Sequence, residues 1–182
     1  TTFTNIPPHL SSLVKNADEV QRRWARKEKL GSGGNGAVYR ACKDTSSRDC
    51  DYCIKVQRFN GQAKAELRAY QELAGSGITP KLHAAWKSAN KLYLVLDRLR
   101  PCKPRLRRKQ VFALLDRLER RSYLHVDTHS DNVMCTKSQR ACLIDYGWAV
   151  RLDEPIKRHP SGCRCLADLR EAQTANVREY FR

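Results

Sequence analysis

The segment His125-Val126-Asp127-Thr128-His129-Ser130-Asp131-Asn132 sets a carboxylate five positions before an amide, and a second carboxylate follows in Leu143-Ile144-Asp145-Tyr146-Gly147. Asp127 is suited to orient a hydroxyl or accept its proton, while Asn132 and Asp145 offer hard oxygen donors of the kind that hold Mg²⁺. Upstream, Tyr52-Cys53-Ile54-Lys55 carries a lysine on an apolar strand-like run. Nineteen residues before that lysine ends Gly31-Ser32-Gly33-Gly34-Asn35-Gly36, which continues as Ala37-Val38 and has the form G-x-G-x-x-G-x-V. Glycines at this spacing let backbone N–H groups lie close over phosphates. A dinucleotide-binding turn wants a strand before the glycines and a helix opening within them, whereas here a β-type run, Ala37 to Cys42, follows. The hairpin form fits better. The set reads as phosphate chemistry: a cation and a glycine loop for phosphates, two metal donors and a base for a hydroxyl acceptor.

In this order and register the motifs resemble those of the protein kinase-like superfamily. The resemblance runs from Leu30 to about Ala149, roughly two-thirds of the chain. It is similar to a minimal, atypical Ser/Thr protein kinase, such as the very small kinases of the tRNA-threonylcarbamoylation complex or the reduced kinases of large DNA viruses. The resemblance implies an α+β, two-lobed protein kinase-like fold, with a small antiparallel sheet lobe plus helix αC and a truncated, mainly helical C-lobe. It divides the chain into an N-terminal helical extension (1–29), an N-lobe with hinge (30–99) and a reduced C-lobe (100–182). It implies ATP and Mg²⁺ as cofactors. Lys55 would hold the α and β phosphates and pair with Glu66 of αC, which stands nearer the family spacing from the hinge than its rival Glu72. Gly31, Gly33, Gly36 and Val38 would cover the nucleotide. Leu96 stands at the gatekeeper position, Asp97 to Leu99 run along the adenine edge, and Met134 is a further nucleotide-contacting position. Asp127 would be the catalytic carboxylate, with Asn132 and Asp145 as the metal ligands.

The chain also departs from the family. Val126 replaces the arginine that anchors a phosphorylated activation loop in many regulated kinases. His129 stands where protein kinases carry a lysine, a form shared with aminoglycoside and choline kinases. No A-P-E sequence follows Gly147, so the activation segment is expected to be vestigial. Asp168 is the expected brace of the catalytic loop. The function implied is ATP- and Mg-dependent phosphoryl transfer to a serine or threonine, with two alternatives: a small-molecule kinase, or a nucleotide-binding pseudokinase scaffold.

Periodicity supplies the elements that must position these groups. Leu10, Leu13, Val14, Ala17, Val20 and Trp24 recur at helical spacing. Strand-like runs follow at Ala37 to Cys42, Tyr52 to Gln57, Leu82 to Trp86 and Leu92 to Leu96, with a helix over Ala63 to Leu73. Val111, Leu114, Leu115 and Leu118 mark a second helix, and Leu166, Leu169, Ala172, Val177 and Phe181 a last one. Val133 to Cys135 and Cys142 to Ile144 are short strand candidates.

The 182 residues carry 35 Lys or Arg against 19 Asp or Glu, a net charge of +16. Between Arg98 and Arg121 ten basic residues face only Asp116 and Glu119, so half the excess lies in that stretch. Such a surface points to an anionic partner, with Arg105, Arg107 and Arg108 its expected contacts. An acidic protein substrate or a partner protein completing the C-lobe fits. Nucleic acid is not favoured, because stacking aromatics are nearly absent there. The longest apolar run, Leu92 to Leu96, is far short of a bilayer span, so no membrane partner is expected. The eight cysteines read as mostly reduced, which places the chain inside a cell: in the cytoplasm or nucleus, or in the host cell or virion if viral. Cys50-x-x-Cys53 and His159-x-x-x-Cys163-x-Cys165 are partial zinc spacings.

Overall fold

The computed structural model describes residues 17–34, 36–44, 50–156 and 159–181. Leu10, Leu13 and Val14 of the expected opening helix and Asn35 of the glycine run lie outside them. The protein is mixed α+β and divides into two compact units, Thr1–Arg68 with Lys81–Arg98, and Ala69–Pro80 with Leu99–Arg182.

The first unit is built on a five-stranded antiparallel sheet. Its strands are β1 (Trp24–Gly33), β2 (Gly36–Lys43), β3 (Tyr52–Arg58), β4 (Leu82–Ser88) and β5 (Lys91–Asp97), in the order β1-β2-β3-β5-β4. Helix α1 (Ala17–Arg22) precedes β1, and helix α2 (Gly61–Glu72) follows β3. Alternation sorts each strand's residues between two faces. On one face Ala41, Ile54, Val56, Ala84, Trp86 and Val95 form a core, with Val20, Trp24 and Tyr39 packed against it. Lys55 and Gln57 on β3 therefore point the other way. Asn60 caps α2 by accepting the Ala63 N–H at 2.9 Å, which fixes where the helix begins.

The expected opening helix stops at Arg22, so the 1–29 segment is not helical throughout: Trp24 opens the first strand. Its indole packs edge-on against Tyr52 (centroids 4.9 Å apart), a contact that helical periodicity does not encode. Segment 69–80 falls in the second unit instead of with 30–99 because its hydrogen bonds lie there. Leu143 N–H donates to Ile78 O at 2.8 Å, and Arg117 Nη2 donates to Ser76 O at 2.9 Å.

The second unit holds helices α3 (Arg108–Glu119) and α4 (Leu166–Tyr180), joined by the Arg170–Glu119 ion pair at 2.6 Å. Between them lie β6 (Tyr123–Leu124) paired with β9 (Val150–Arg151), and the hairpin β7 (Val133–Cys135) with β8 (Ala141–Leu143). Val111, Leu114, Leu115 and Leu118 bury one face of α3, and Leu169, Gln173 and Val177 one face of α4. Leu124, Val126 and Leu169 form the core beneath β6.

Two disulfides, Cys42–Cys50 and Cys102–Cys135, replace the expected mostly reduced state. Register brings the second pair together: Arg100 and Cys135 exchange two backbone hydrogen bonds of 2.8 Å, which sets Cys102 beside β7. The Cys50-x-x-Cys53 zinc spacing is ruled out, since Cys50 is already bonded to Cys42. His159 is also spent, with Nε2 donating to Trp148 O at 2.7 Å and Nδ1 accepting from Ser161. Among the described residues no cluster of three potential metal-binding His, Cys, Asp or Glu side chains occurs, and no helix is long and apolar enough to cross a membrane. Thiol titration of the unreduced, denatured protein should count four thiols, Cys53, Cys142, Cys163 and Cys165, and eight after reduction. Eight before reduction would remove both bridges.

Candidate active site

In the first unit the glycine run is the tip of the β1–β2 hairpin, with Gly33 paired to Gly36. Gly36 adopts φ +151°, and a Cβ there would stand 2.3 Å from Val56 O, so only glycine fits this approach to β3. Among the described residues nothing lies within 4 Å of a Cβ built at Gly31 or Gly33. Val38 is paired across β2–β3 with Lys55.

Lys55 Nζ donates to Glu66 Oε1 at 2.8 Å, and Gln57 Nε2 donates to the other oxygen, Oε2, at 2.7 Å. Glu66 is fully buried and Lys55 is 8% exposed. A carboxylate so deep must be paired, and two donors set two residues apart on one face of β3 hold it on both oxygens. Glu72 is engaged elsewhere: it accepts from Arg151 Nη1 at 2.8 Å and from the Tyr123 hydroxyl, both in the second unit. Gln57 is a positioning residue that motif reading missed. Its signal was alternation, because it stands at i+2 from Lys55.

Leu96 is buried beside Cys53, whose thiol burial pushes up to about 12. Asp97 accepts from His83 Nε2 at 2.7 Å and from Lys81 N at 3.2 Å, which lowers its carboxyl below the ordinary range. The Asp97 amide donates to Lys81 O and the Arg98 amide to Asp51 O. By contrast, the Leu99 N–H, in the second unit, has no acceptor among the described residues.

In the second unit the segment after β6 carries the other predicted residues. Asn132 Nδ2 donates to Asp127 O at 2.9 Å and lies 3.2 Å from Asp127 Oδ2 and 3.0 Å from His129 Nε2. That network fixes the amide's orientation and leaves its Oδ1 without a donor among the described residues. The Ile144 N–H donates to Asn132 O at 3.0 Å, extending the β7–β8 ladder and bringing Asp145 next in sequence to the residue opposite Asn132. Asp145 sits at φ 62°, and its N–H donates to the Tyr70 hydroxyl at 3.4 Å. Tyr146 is buried edge-on to Tyr70 and His125, at 5.4 and 4.9 Å. Asn132 Oδ1 and the Asp145 carboxylate are oxygen donors of the kind that a hard divalent cation such as Mg²⁺ takes. Met134, half-buried on β7, pairs with Cys142.

Val126, beside Asp127, is buried with φ 67°, a left-handed conformation that is rare for a β-branched residue. Helix α4 holds it there. Gln173 Oε1 accepts both the His125 N–H (2.9 Å) and the Val126 N–H (3.1 Å), and Asn176 Nδ2 donates to Val126 O at 2.9 Å. Strain at one residue is maintained when its surroundings over-determine it. The expected brace, Asp168, does not reach this loop: it is exposed, and its Oδ2 accepts the Arg164 N–H at 3.4 Å at the start of α4. Gln173 was missed because a glutamine in a helical run carries no motif, although it stands on the apolar stripe with Leu169 and Val177.

The expected basic contacts divide. Arg108 is structural, donating to Phe181 O at 3.1 Å and Arg178 O at 2.9 Å and so capping the end of α4, as Arg117 ties down Ser76 O. Arg105 and Arg107 are exposed and in no ion pair among the described residues. No protein-family model matches the chain.

Replacing Gln173 with Ala should cost about 2 kcal/mol or more by orphaning two buried N–H groups, whereas Gln173→Glu keeps an acceptor oxygen and should cost less. Chemical denaturation of both variants checks this, and equal losses would show that packing, not the shared oxygen, matters. His125 donates through Nε2 to Ile144 O at 2.8 Å, and burial lowers its pKa below the ordinary 6.5. A depressed imidazole contributes stability above 6.5 that is lost as pH falls below it, because the unfolded chain then binds the proton more readily. Urea midpoints should therefore fall on acidification below 6.5 in the wild type and fall less in His125→Gln. Parallel slopes would contradict this assignment.

Proposed function

We propose that this chain is an ATP- and Mg-dependent phosphotransferase of the protein kinase type, transferring the γ-phosphoryl group to a serine or threonine hydroxyl. The observation that supports it most is the buried Lys55–Glu66 pair, with Gln57 on the second carboxylate oxygen, next to a glycine-tipped hairpin. A lysine held this way presents a fixed cation to phosphate oxygens, and the backbone of the glycine hairpin covers them. The Leu99 N–H, with no acceptor among the described residues, would be a donor for the adenine edge. In the second unit Asp127 orients the acceptor hydroxyl and takes its proton, while the Asn132 amide keeps the carboxylate from swinging away. His129 Nε2 lies 3.8 Å from Asp127 Oδ2, on the same carboxylate oxygen. Magnesium, held by Asn132 Oδ1 and the Asp145 carboxylate, would supply charge neutralisation on the phosphates. The arrangement of helix α2 against a five-stranded antiparallel sheet, followed by a mainly helical second unit, accords with a two-lobed kinase-like fold.

Asp127→Asn should abolish transfer while leaving ATP affinity within a few-fold, because its lost function is toward the acceptor. Lys55→Met should weaken nucleotide binding and turnover together and lower stability by about 3 kcal/mol, since Glu66 is left buried without its cation. Isothermal titration with ATP beside initial-rate assays separates the two. Normal turnover in Asp127→Asn would end the mechanistic assignment, and unchanged affinity and rate in Lys55→Met would end the phosphate assignment.

A further inference from the structure

The second unit contains a cleft of about 960 Å³ beside the Asp127 segment, a volume able to take a short stretch of peptide. One wall is the run from Pro101 to Arg107, pinned at Cys102 by the disulfide to Cys135 and carrying the guanidiniums of Arg105 and Arg107. Leu106, Val133 and Phe181 add apolar lining. The lining also includes Ser130 and Asp131 from the Asp127 loop and Glu179 and Tyr180 from the end of α4. Tyr180 links cleft and carboxylate: its ring centroid is 6.0 Å from that of His129, whose Nε2 is 3.8 Å from Asp127 Oδ2.

We propose that this cleft is the acceptor groove, and that it takes an extended peptide segment in which an anionic residue, acidic or phosphorylated, flanks the hydroxyl to be modified. The inference rests on the phosphotransferase reading and adds the substrate class. The charge pattern carries it. Arg105 and Arg107 line the cleft with no counter-ion among the described residues, while Arg108, the next arginine, is consumed by the Phe181 and Arg178 carbonyls. These two guanidiniums attract an anionic side chain and can fork onto a carboxylate or phosphate. Asp131 and Glu179, which also line the cleft, repel such a group, so the anion seats at Arg105 and Arg107. The exposed Tyr180 ring and the apolar lining residues offer contact to the peptide backbone.

The test is fluorescence anisotropy, without nucleotide, on serine peptides of equal length carrying neutral, acidic, phosphoserine or basic flanks, together with a single-stranded oligonucleotide. Transfer from ATP to the same peptides is measured in parallel. The wild type should bind acidic or phosphorylated peptides at least tenfold more tightly than neutral ones, and the arm with the greater affinity identifies the anion. R105E/R107E should erase that preference, R121E/R164E, which changes the charge equally outside the cleft, should keep it, and Glu179→Lys should strengthen binding several-fold. Glu179→Lys decides the matter alone if the double reversal does not fold. Equal affinity for neutral and acidic peptides, loss of the preference in R121E/R164E, preference for basic flanks, or tighter binding of the oligonucleotide through Arg105 and Arg107 would each overturn the proposal. Selective anion binding with no phosphate transfer would refute the phosphotransferase reading and leave the groove standing. Transfer without anion preference would do the reverse.

Discussion

The first unit is organised around one buried carboxylate. Glu66 is removed from water completely, and a charge so placed survives only if it is compensated nearby. Lys55 supplies the charge and Gln57 the second hydrogen bond, and both reach Glu66 because β-strand alternation puts them on the same face, opposite Ile54 and Val56. The helix must also arrive in the right register, which the Asn60 cap secures at its first turn. Gly36 lets β2 approach β3 where any side chain would strike Val56 O, so the glycine hairpin and the Lys55 strand are packed as one piece. A cation that is fixed, desolvated and already paired is a poor device for stability alone, since an apolar pair of like volume would pack as well. Its proposed use is to meet phosphate.

In the second unit the corresponding constraint is backbone strain. Val126 is forced into the left-handed region directly beside Asp127, and the fold concentrates hydrogen bonds there to hold it: two from the loop into Gln173 and one from Asn176 back to the loop. Helix α4 is in turn anchored at its end by Arg108 and at its side by Arg170 to Glu119. The aromatic column of Tyr70, Tyr146 and His125 fills the space behind Asp145. Of the residues proposed to do chemistry, Asp127 and Asp145 are thus half-buried and Asn132 buried, on a base of buried amides, rings and arginine caps.

Periodicity and spacing made β2 to β5, helices α2 to α4 and the β7–β8 hairpin legible to within a few residues, because each has an apolar face of clear period. Strand β1 was not legible: Trp24 continues a helical spacing, while the rest of the strand is largely charged and glycine-rich and gains its place by pairing with β2. The two-residue strands β6 and β9 are too short to show alternation. The preference for Glu66 over Glu72 as the partner of Lys55 came from a family spacing, and in the structure Glu72 is taken by Arg151 and Tyr123. Gln57 and Gln173 went unseen because a buried amide acquires its role only from tertiary neighbours. The disulfides were missed for the related reason that pairing depends on register, as with Arg100 and Cys135. Likewise, composition counts Arg105, Arg107 and Arg108 alike, and only geometry separates the capping Arg108 from the other two, which form no ion pair among the described residues.

The central claim is that the set of groups around Lys55 and Asp127 moves a phosphoryl group from nucleotide to hydroxyl. The most direct measurement is to incubate the pure protein with Mg²⁺, ATP labelled in its γ-phosphoryl group and a mixture of serine- and threonine-containing peptides, then locate the label by mass spectrometry. The account predicts labelled phosphate esterified to a serine or threonine hydroxyl, formed only with Mg²⁺ present. Label that stays on ATP, or is released only as inorganic phosphate whatever the acceptor, would contradict it.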